Sequence, residues 1–249
     1  MKTTSIVVAW VALAVFASLV PLTPILAGTL NLNDLYNAGN PFAGSDVEFA
    51  SLIETNGQAV ATNYFRTPTV SGNILTLLPE NFRVDVNPGP GDVSVGSRLA
   101  MEIQADPGKS ISQFVVQQVI AYSLRGGRTN DATGTATISF AWEVLAGASL
   151  GTTGSTNQNH TKSASPNSDG TWTSTYAVDL ATLAPGATRV RLEFDDQFRG
   201  QATRSGIAYV TALQQPGVTV SVNVVPEPIG GLLVVAGAIF LLAARRRRK

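Results

Sequence analysis

Between residues 47 and 224 the apolar side chains recur at every second position, and no long stretch carries them at helical spacing. Successive strand residues point to opposite faces, so this alternation marks half-buried strands. Phe82-Arg83-Val84-Asp85-Val86 alternates strictly and halts at Asn87-Pro88-Gly89-Pro90-Gly91, a cluster of turn formers. The run 97–105 sets Leu99, Met101 and Ile103 on one face, and Asp106-Pro107-Gly108-Lys109 closes it as a turn. The run 111–124 carries Phe114, Val116, Val119, Ile120 and Tyr122; its Gln117-Gln118 pair shifts the phase and predicts a bulge. In 135–145, Ile138, Phe140, Trp142 and Val144 lie opposite Thr137, Ser139 and Ala141. Further strands are predicted over 47–53, 73–78, 171–179, 189–194, 206–213 and 218–224. The stretch 147–170, rich in Ser, Thr and Asn, reads as a long mobile loop or a ragged edge hairpin.

No internal repeat of fixed period is present, which argues against a solenoid or propeller. The expected class is therefore all-β: a single β-sandwich or jelly roll whose core includes Leu99, Met101, Ile103, Phe140 and Trp142. The runs at Leu99, Ile111 and Thr135 are expected to pair as neighbours, as consecutive strands usually do. Pro88 to Gly91 is too short to link separate domains.

The ends differ from this middle. Met1 and Lys2 precede an apolar run, 6–20, which Pro21 and Pro24 interrupt before the small pair Ala27 and Gly28. These are the marks of a secretory signal peptide over 1–27, cleaved between Ala27 and Gly28. A permanent N-terminal anchor is the alternative, but the run falls short of the ~20 apolar residues of a spanning helix. At the other end, Pro226-Glu227-Pro228 leads into 229–244, which holds no charge, and Arg245, Arg246, Arg247, Arg248 and Lys249 close the chain. Basic residues concentrate on the cytoplasmic side of membrane segments. The expectation is a transmembrane helix over 229–244, a stop-transfer cluster at 245–249 and an exported domain over 28–223.

Taken together, 224–249 resembles the PEP-CTERM sorting domain: a Pro-Glu-Pro motif, a Gly-containing apolar helix and a terminal arginine cluster, in that order. The resemblance implies a Gram-negative-type bacterium that makes exopolysaccharide. It implies processing by an exosortase, for which Pro226, Glu227 and Pro228 form the recognition motif as substrate residues. The precursor would be anchored in the inner membrane and the product delivered to the cell surface or extracellular matrix. The resemblance implies nothing about the β domain.

Charge and composition then exclude several functions for that domain. Six of the 17 basic residues and one of the 17 acidic residues lie in the ends, so 28–225 carries a net charge of −5. Such a domain lacks the basic footprint of a nucleic-acid binder. With no cysteine and a single histidine, His160, it has no thiol nucleophile, cysteine–zinc site or two-histidine metal site. No cofactor is expected. Calcium is the one ion its carboxylates suit, at Asp195 and Asp196 after the strand ending at Phe194, or at Asp46 and Glu48; solvated turn carboxylates are the alternative.

Trp142, Trp172, Tyr176, Tyr122 and Tyr209 are candidates for a sugar-stacking platform, set against the commoner role of strand aromatics as core. Glu48, Glu54, Glu102, Glu143 and Glu193 are candidates for a glycosidase pair, which needs two facing carboxylates. His160 sits beside Asn159 and Thr161 with no identifiable Ser or Asp partner. The expectation is a non-enzymatic surface or matrix protein associated with exopolysaccharide or biofilm. A carbohydrate-binding module is the alternative, and a secreted glycosidase-like enzyme a distant third.

Overall fold

A computed structural model describes residues 28–56, 64–126, 128, 131–163, 167–203, 206–213 and 217–227. The signal segment through Ala27 and everything from Pro228 onward, including the apolar run and Arg245 to Lys249, lie outside the described residues. In chain order the elements begin with β1 (Gly28–Asn31), α1 (Leu32–Asn37), β2 (Phe42–Ala43), β3 (Val47–Asn56), β4 (Thr69–Ser71), β5 (Ile74–Leu77) and β6 (Arg83–Val86). The long strands follow: β7 (Gly91–Ala105), β8 (Lys109–Arg125), β9 (Ala132–Gly147), β10 (Thr153–Ser163) and β11 (Asn167–Asp179). The series ends with α2 (Leu180–Leu183), β12 (Ala187–Ala202), β13 (Ile207–Ala212) and β14 (Val218–Pro226).

These strands form two antiparallel sheets. The first has the order β1-β3-β7-β12-β9-β10, with β2 also on β3. In the second, β8 is central: β11 runs along one side, and β14 and β13 share the other, leading to β5-β4 and to β6. The apolar faces of both sheets meet in one core, which holds Leu99, Met101, Ile103, Phe140 and Trp142 as expected. The two short helices are capped by side chains. Asn31 accepts from the amides of Asn33 and Asp34, and Asp179 from that of Thr182.

Three expectations change. The runs at Leu99, Ile111 and Thr135 do not pair with one another. β12 inserts between β7 and β9, and β8 lies in the other sheet. The Asp106–Lys109 turn carries the chain across the interlayer, so the apolar faces of β7 and β8 meet through the core instead of lying side by side. Next, Gln117-Gln118 makes no bulge, because the register of β8 against β11 and β14 runs unbroken through both residues. The irregularity falls at Asn223/Val224, against 111–113 of β8, and Gln118 simply keeps the inward phase of Phe114, Val116 and Ile120. Finally, the mobile-loop reading of 147–170 fails and the edge-hairpin alternative holds for β10, which turns back antiparallel on β9 at the sheet edge, while β11 joins β8 in the other sheet. Backbone pairing holds these polar strands, so apolar alternation did not announce β10.

Strand β14 continues past residue 223 and ends at Pro226, opposite Lys109, and the Glu227 amide donates to the Gly108 carbonyl at 2.9 Å. The first two residues of the Pro-Glu-Pro motif are thus fastened to the body of the domain.

Candidate functional site

The interior is crossed by a polar seam. Asp195 and Asp196 lie mid-strand in β12, not beyond its end, and adjacent strand residues face opposite ways. Asp195 points to solvent and Asp196 into the interlayer, so the pair does not form one cation site. Asp196 is fully buried; its Oδ2 accepts from Gln118 Nε2 at 2.9 Å, and its Oδ1 has no partner. Burial pushes the Asp196 carboxyl up to about 7, against the pull of the Gln118 amide and with a contribution from the charge of Asp195.

Gln118 stands opposite Ser174 of β11. The buried Ser174 Oγ lies 2.8 Å from His160 Nε2, and the His160 ring stacks on Trp172 at 5.7 Å. His160 therefore has a serine neighbour that sequence reasoning missed. That serine is sealed from solvent, however, and no carboxylate bonds the imidazole among the described residues, so no catalytic triad forms. Burial pulls the His160 pKa down. At the far side of the seam Glu54 is buried under the Tyr64 amide (3.2 Å) and the Ser97 hydroxyl (3.5 Å). Burial raises it to about 7 despite both hydrogen bonds.

The proposed stacking aromatics are divided between two places. Trp142, Tyr122, Trp172 and Tyr176 all face inward. Trp142 Nε1 donates to the Tyr176 hydroxyl at 3.0 Å, Tyr122 packs on Trp172 at 4.5 Å, and Tyr176 stacks on Phe140 at 5.0 Å. Gly154 and Gly170 cover two of these rings: a Cβ on either would come within 2.5 Å of Trp142 Nε1 or the Tyr122 hydroxyl. Tyr209 lies on the outer face of the second sheet, in a 540 Å³ hollow with Arg66, Glu80 and Arg83. The five do not make one platform.

The carboxylates also separate. Glu54 is buried and Glu48 exposed, whereas Glu102, Glu143 and Glu193 share the solvent face of the first sheet. There they are set among arginines. Glu102 is held by both Arg189 (Nε at 2.9 Å) and Arg191 (3.2 Å), and Glu193 pairs with Arg98. Burial pulls the Glu102 pKa up, but the two guanidiniums outweigh it and hold the carboxyl below its ordinary value. Arg199 binds Asp92 at 2.9 Å and holds it down to about 2.

This solvent face is ordered in rows. Its rows run straight across the strands: Asn157, Ser139, Asp195 and Arg98 in one, Asn159, Thr137 and Gln197 in the next, and Thr161, Thr135, Arg199 and Ser94 in the third. Three hollows of 340, 220 and 530 Å³ follow β9 and β12 along their length, the first beside Glu143 and Arg191, the second beside Asp195 and Asn157, the third beside Gln197 and Arg199. The sequence did carry its signal, because the outward residues of β10, and those of β9 from Thr133 to Ser139, are all Thr, Ser or Asn.

No protein-family model matches the sequence, and no curated protein matches it. Among solved structures the chain aligns with TmCBM61, determined in complex with β-1,4-galactotriose. The TM-score is 0.22 at 8% identity, over 61% of this chain and 71% of that one. It also aligns with the enzymatically active domain of bacteriophage CBA120 tailspike protein 4, with a TM-score of 0.21 at 14% identity, over 72% of this chain and 20% of that one. A third alignment is to a chain of the T13 particle of IBDV, with a TM-score of 0.27 at 9% identity, over 68% of this chain and 41% of that one.

Proposed function

We propose that the chain is an exported, non-catalytic surface or matrix protein whose first sheet associates with extracellular polysaccharide through its solvent face. The observation that carries this reading is the polar strip over β10, β9, β12 and β7, interrupted only by small residues such as Ala141, Ala100 and Gly96. A polysaccharide presents many hydroxyls along an extended chain. The strip answers with hydroxyl, amide and carboxylate groups repeating about every 7 Å along β10 and β12 and along β9 as far as Ser139. Cross-strand ion pairs hold its arginines in place, which reduces the ordering cost of binding. Those arginines are neutralised by neighbouring carboxylates, so the surface favours a neutral polymer over a strongly anionic one. Delivery rests on the tail: the signal segment exports the domain, 229–244 anchors it, and an exosortase acts at Pro226-Glu227-Pro228.

Full-length protein in mild detergent, screened against a glycan array with and without calcium, tests the binding. Asp195→Ala combined with Gln197→Ala should weaken any binding found by about tenfold or more, the loss of one or two charge-assisted hydrogen bonds. Binding that ignores these changes but falls with Tyr209→Ala would move the site to the other sheet and defeat the reading. Delivery is checked separately. Changing Pro226-Glu227-Pro228 to alanines should leave export intact and the full-size chain in the inner membrane, whereas normal surface delivery at unchanged mass would rule out sorting at the motif.

A further inference from the structure

The long edge strands of the two sheets are β10 and β11. A strand edge presents unpaired amides and carbonyls, and proteins usually blunt it by shortness, charge, proline or a bulge. The remaining edge strands are blunted by shortness: β1 has 4 residues, β2 has 2, β4 has 3 and β6 has 4. Strand β10 has 11 residues, and its register against β9 runs without a break from Thr153 to Ser163. It contains no proline, and no charged residue before Lys162. Among the described residues, no strand pairs with its outer edge.

We infer that β10 is an interface for a second copy of this chain, which adds its own β10 antiparallel across a two-fold axis at Gln158. The sequence is self-complementary in that register. Asn157 meets the second copy's Asn159, Ser155 meets Thr161, Thr153 meets Ser163, Thr156 meets His160, and Gln158 meets itself. Apart from Thr156 with His160, these are cross-strand pairs of hydroxyls and amides, which favour association. The one cation, Lys162, faces the second copy's Gly154, so no like charges oppose each other. Strand β11 lacks this property. Pairing it with itself about Ser174 sets Asp169 against Asp179, and Asp169 is already engaged by Arg125 at 2.6 and 2.7 Å. An axis perpendicular to the sheet keeps like faces together. The first sheets of the two copies become one continuous sheet, with the polar strip running across the junction.

The chain has no cysteine, so a single introduced one reports the contact cleanly. In full-length protein in mild detergent, Gln158→Cys should link into a dimer on oxidation or with a short bis-maleimide. Thr171→Cys on β11 should not. A second variant, Asn157→Lys with Asn159→Lys, sets lysines opposite each other twice across the axis. It should lower the association constant measured by sedimentation by about tenfold, with an unchanged far-ultraviolet spectrum. A wild-type chain that remains monomeric while Gln158→Cys fails to link overturns the inference. So does equal linking through Thr171→Cys, or an oligomer that the lysine variant leaves intact.

Discussion

Replacing Asp196 with asparagine removes a charge from the centre of the sandwich while keeping the shape. Burial pushes the native carboxyl up from the ordinary 3.8 to about 7. Between those pH values the folded protein holds a proton that the unfolded chain has released, so stability falls by ~1.4 kcal/mol for each pH unit. Over the whole interval the loss is about 4 kcal/mol. It is absent below about pH 4 and complete above about pH 8. Glu54, raised from 4.5 to about 7 by burial, loses stability over an overlapping window and adds about 3 kcal/mol. The wild-type slope should therefore approach ~2.7 kcal/mol per pH unit near pH 6.

Asp196→Asn keeps an acceptor for the Gln118 amide and halves that slope. Urea denaturation of full-length protein in mild detergent, repeated from about pH 4 to about pH 8, gives both quantities through the midpoints. The variant should match the wild type to within ~1 kcal/mol at the acid end and exceed it by as much as ~4 kcal/mol at the alkaline end. A variant that is less stable than the wild type by the same amount at both ends would refute the reasoning. The ionised carboxylate would then be compensated inside the interlayer, most simply by a cation at Oδ1.

Tyr176→Phe deletes the acceptor of the Trp142 indole N–H and should cost ~1–3 kcal/mol, with an altered tryptophan emission spectrum. Gly154→Val drives a side chain into the Trp142 ring and should destabilise by ~1–3 kcal/mol in thermal unfolding, more than a valine at the neighbouring exposed Ser155. Glu102→Gln loses two half-exposed arginine partners and should cost ~1 kcal/mol at neutral pH. Because the Glu102 pKa is lowered in the fold, that contribution is lost on acidification, so the variant should flatten the acid limb of a stability–pH curve.

The strands that sequence reasoning found are those in which one face is strongly apolar. Leu99, Met101 and Ile103, or Ile138, Phe140 and Trp142, leave no doubt about strand or face. Pairing was not legible in the same way. The insertion of β12 between β7 and β9 depends on which long strands share a sheet, and inward faces look alike whichever sheet they belong to. Strand β10 was hidden for another reason: its inward residues are Gly154, Thr156, Gln158 and His160, so backbone hydrogen bonds hold it without an apolar pattern. Asp195 and Asp196 read as neighbours because they are adjacent in sequence, yet strand geometry separates them. The same alternation assigns Gln118 to the interior once its phase is continued from Val116 to Ile120. The inward acid and the inward amide were thus both readable, and only their meeting across the interlayer required the fold.

The proposed anchor and the proposed edge pairing constrain each other. Strand β14 ends at Pro226 beside Lys109, at the end of the sandwich that also holds Gly147 and Ala187. The tail therefore leaves from that end, and β10 begins near it at Thr153 and runs away toward Ser163. In an antiparallel β10 pair the second copy is inverted, so its tail leaves from the opposite end. Strands of 15 to 17 residues separate those ends by about 50 Å. With their strands standing upright on one membrane, two anchored chains thus cannot pair in this way, whereas chains released from it, held by facing surfaces, or lying flat with the pair's axis along the membrane normal, can. For upright chains, cleavage at the motif would then act as the step that permits assembly, with no conformational change in the domain. Gln158→Cys protein reconstituted with all tails in one leaflet orientation should not link, and should link once a protease frees the domain. Efficient linking within single vesicles before cleavage would require domains that lie flat on the membrane or a parallel pair, and would defeat cleavage as the permissive step.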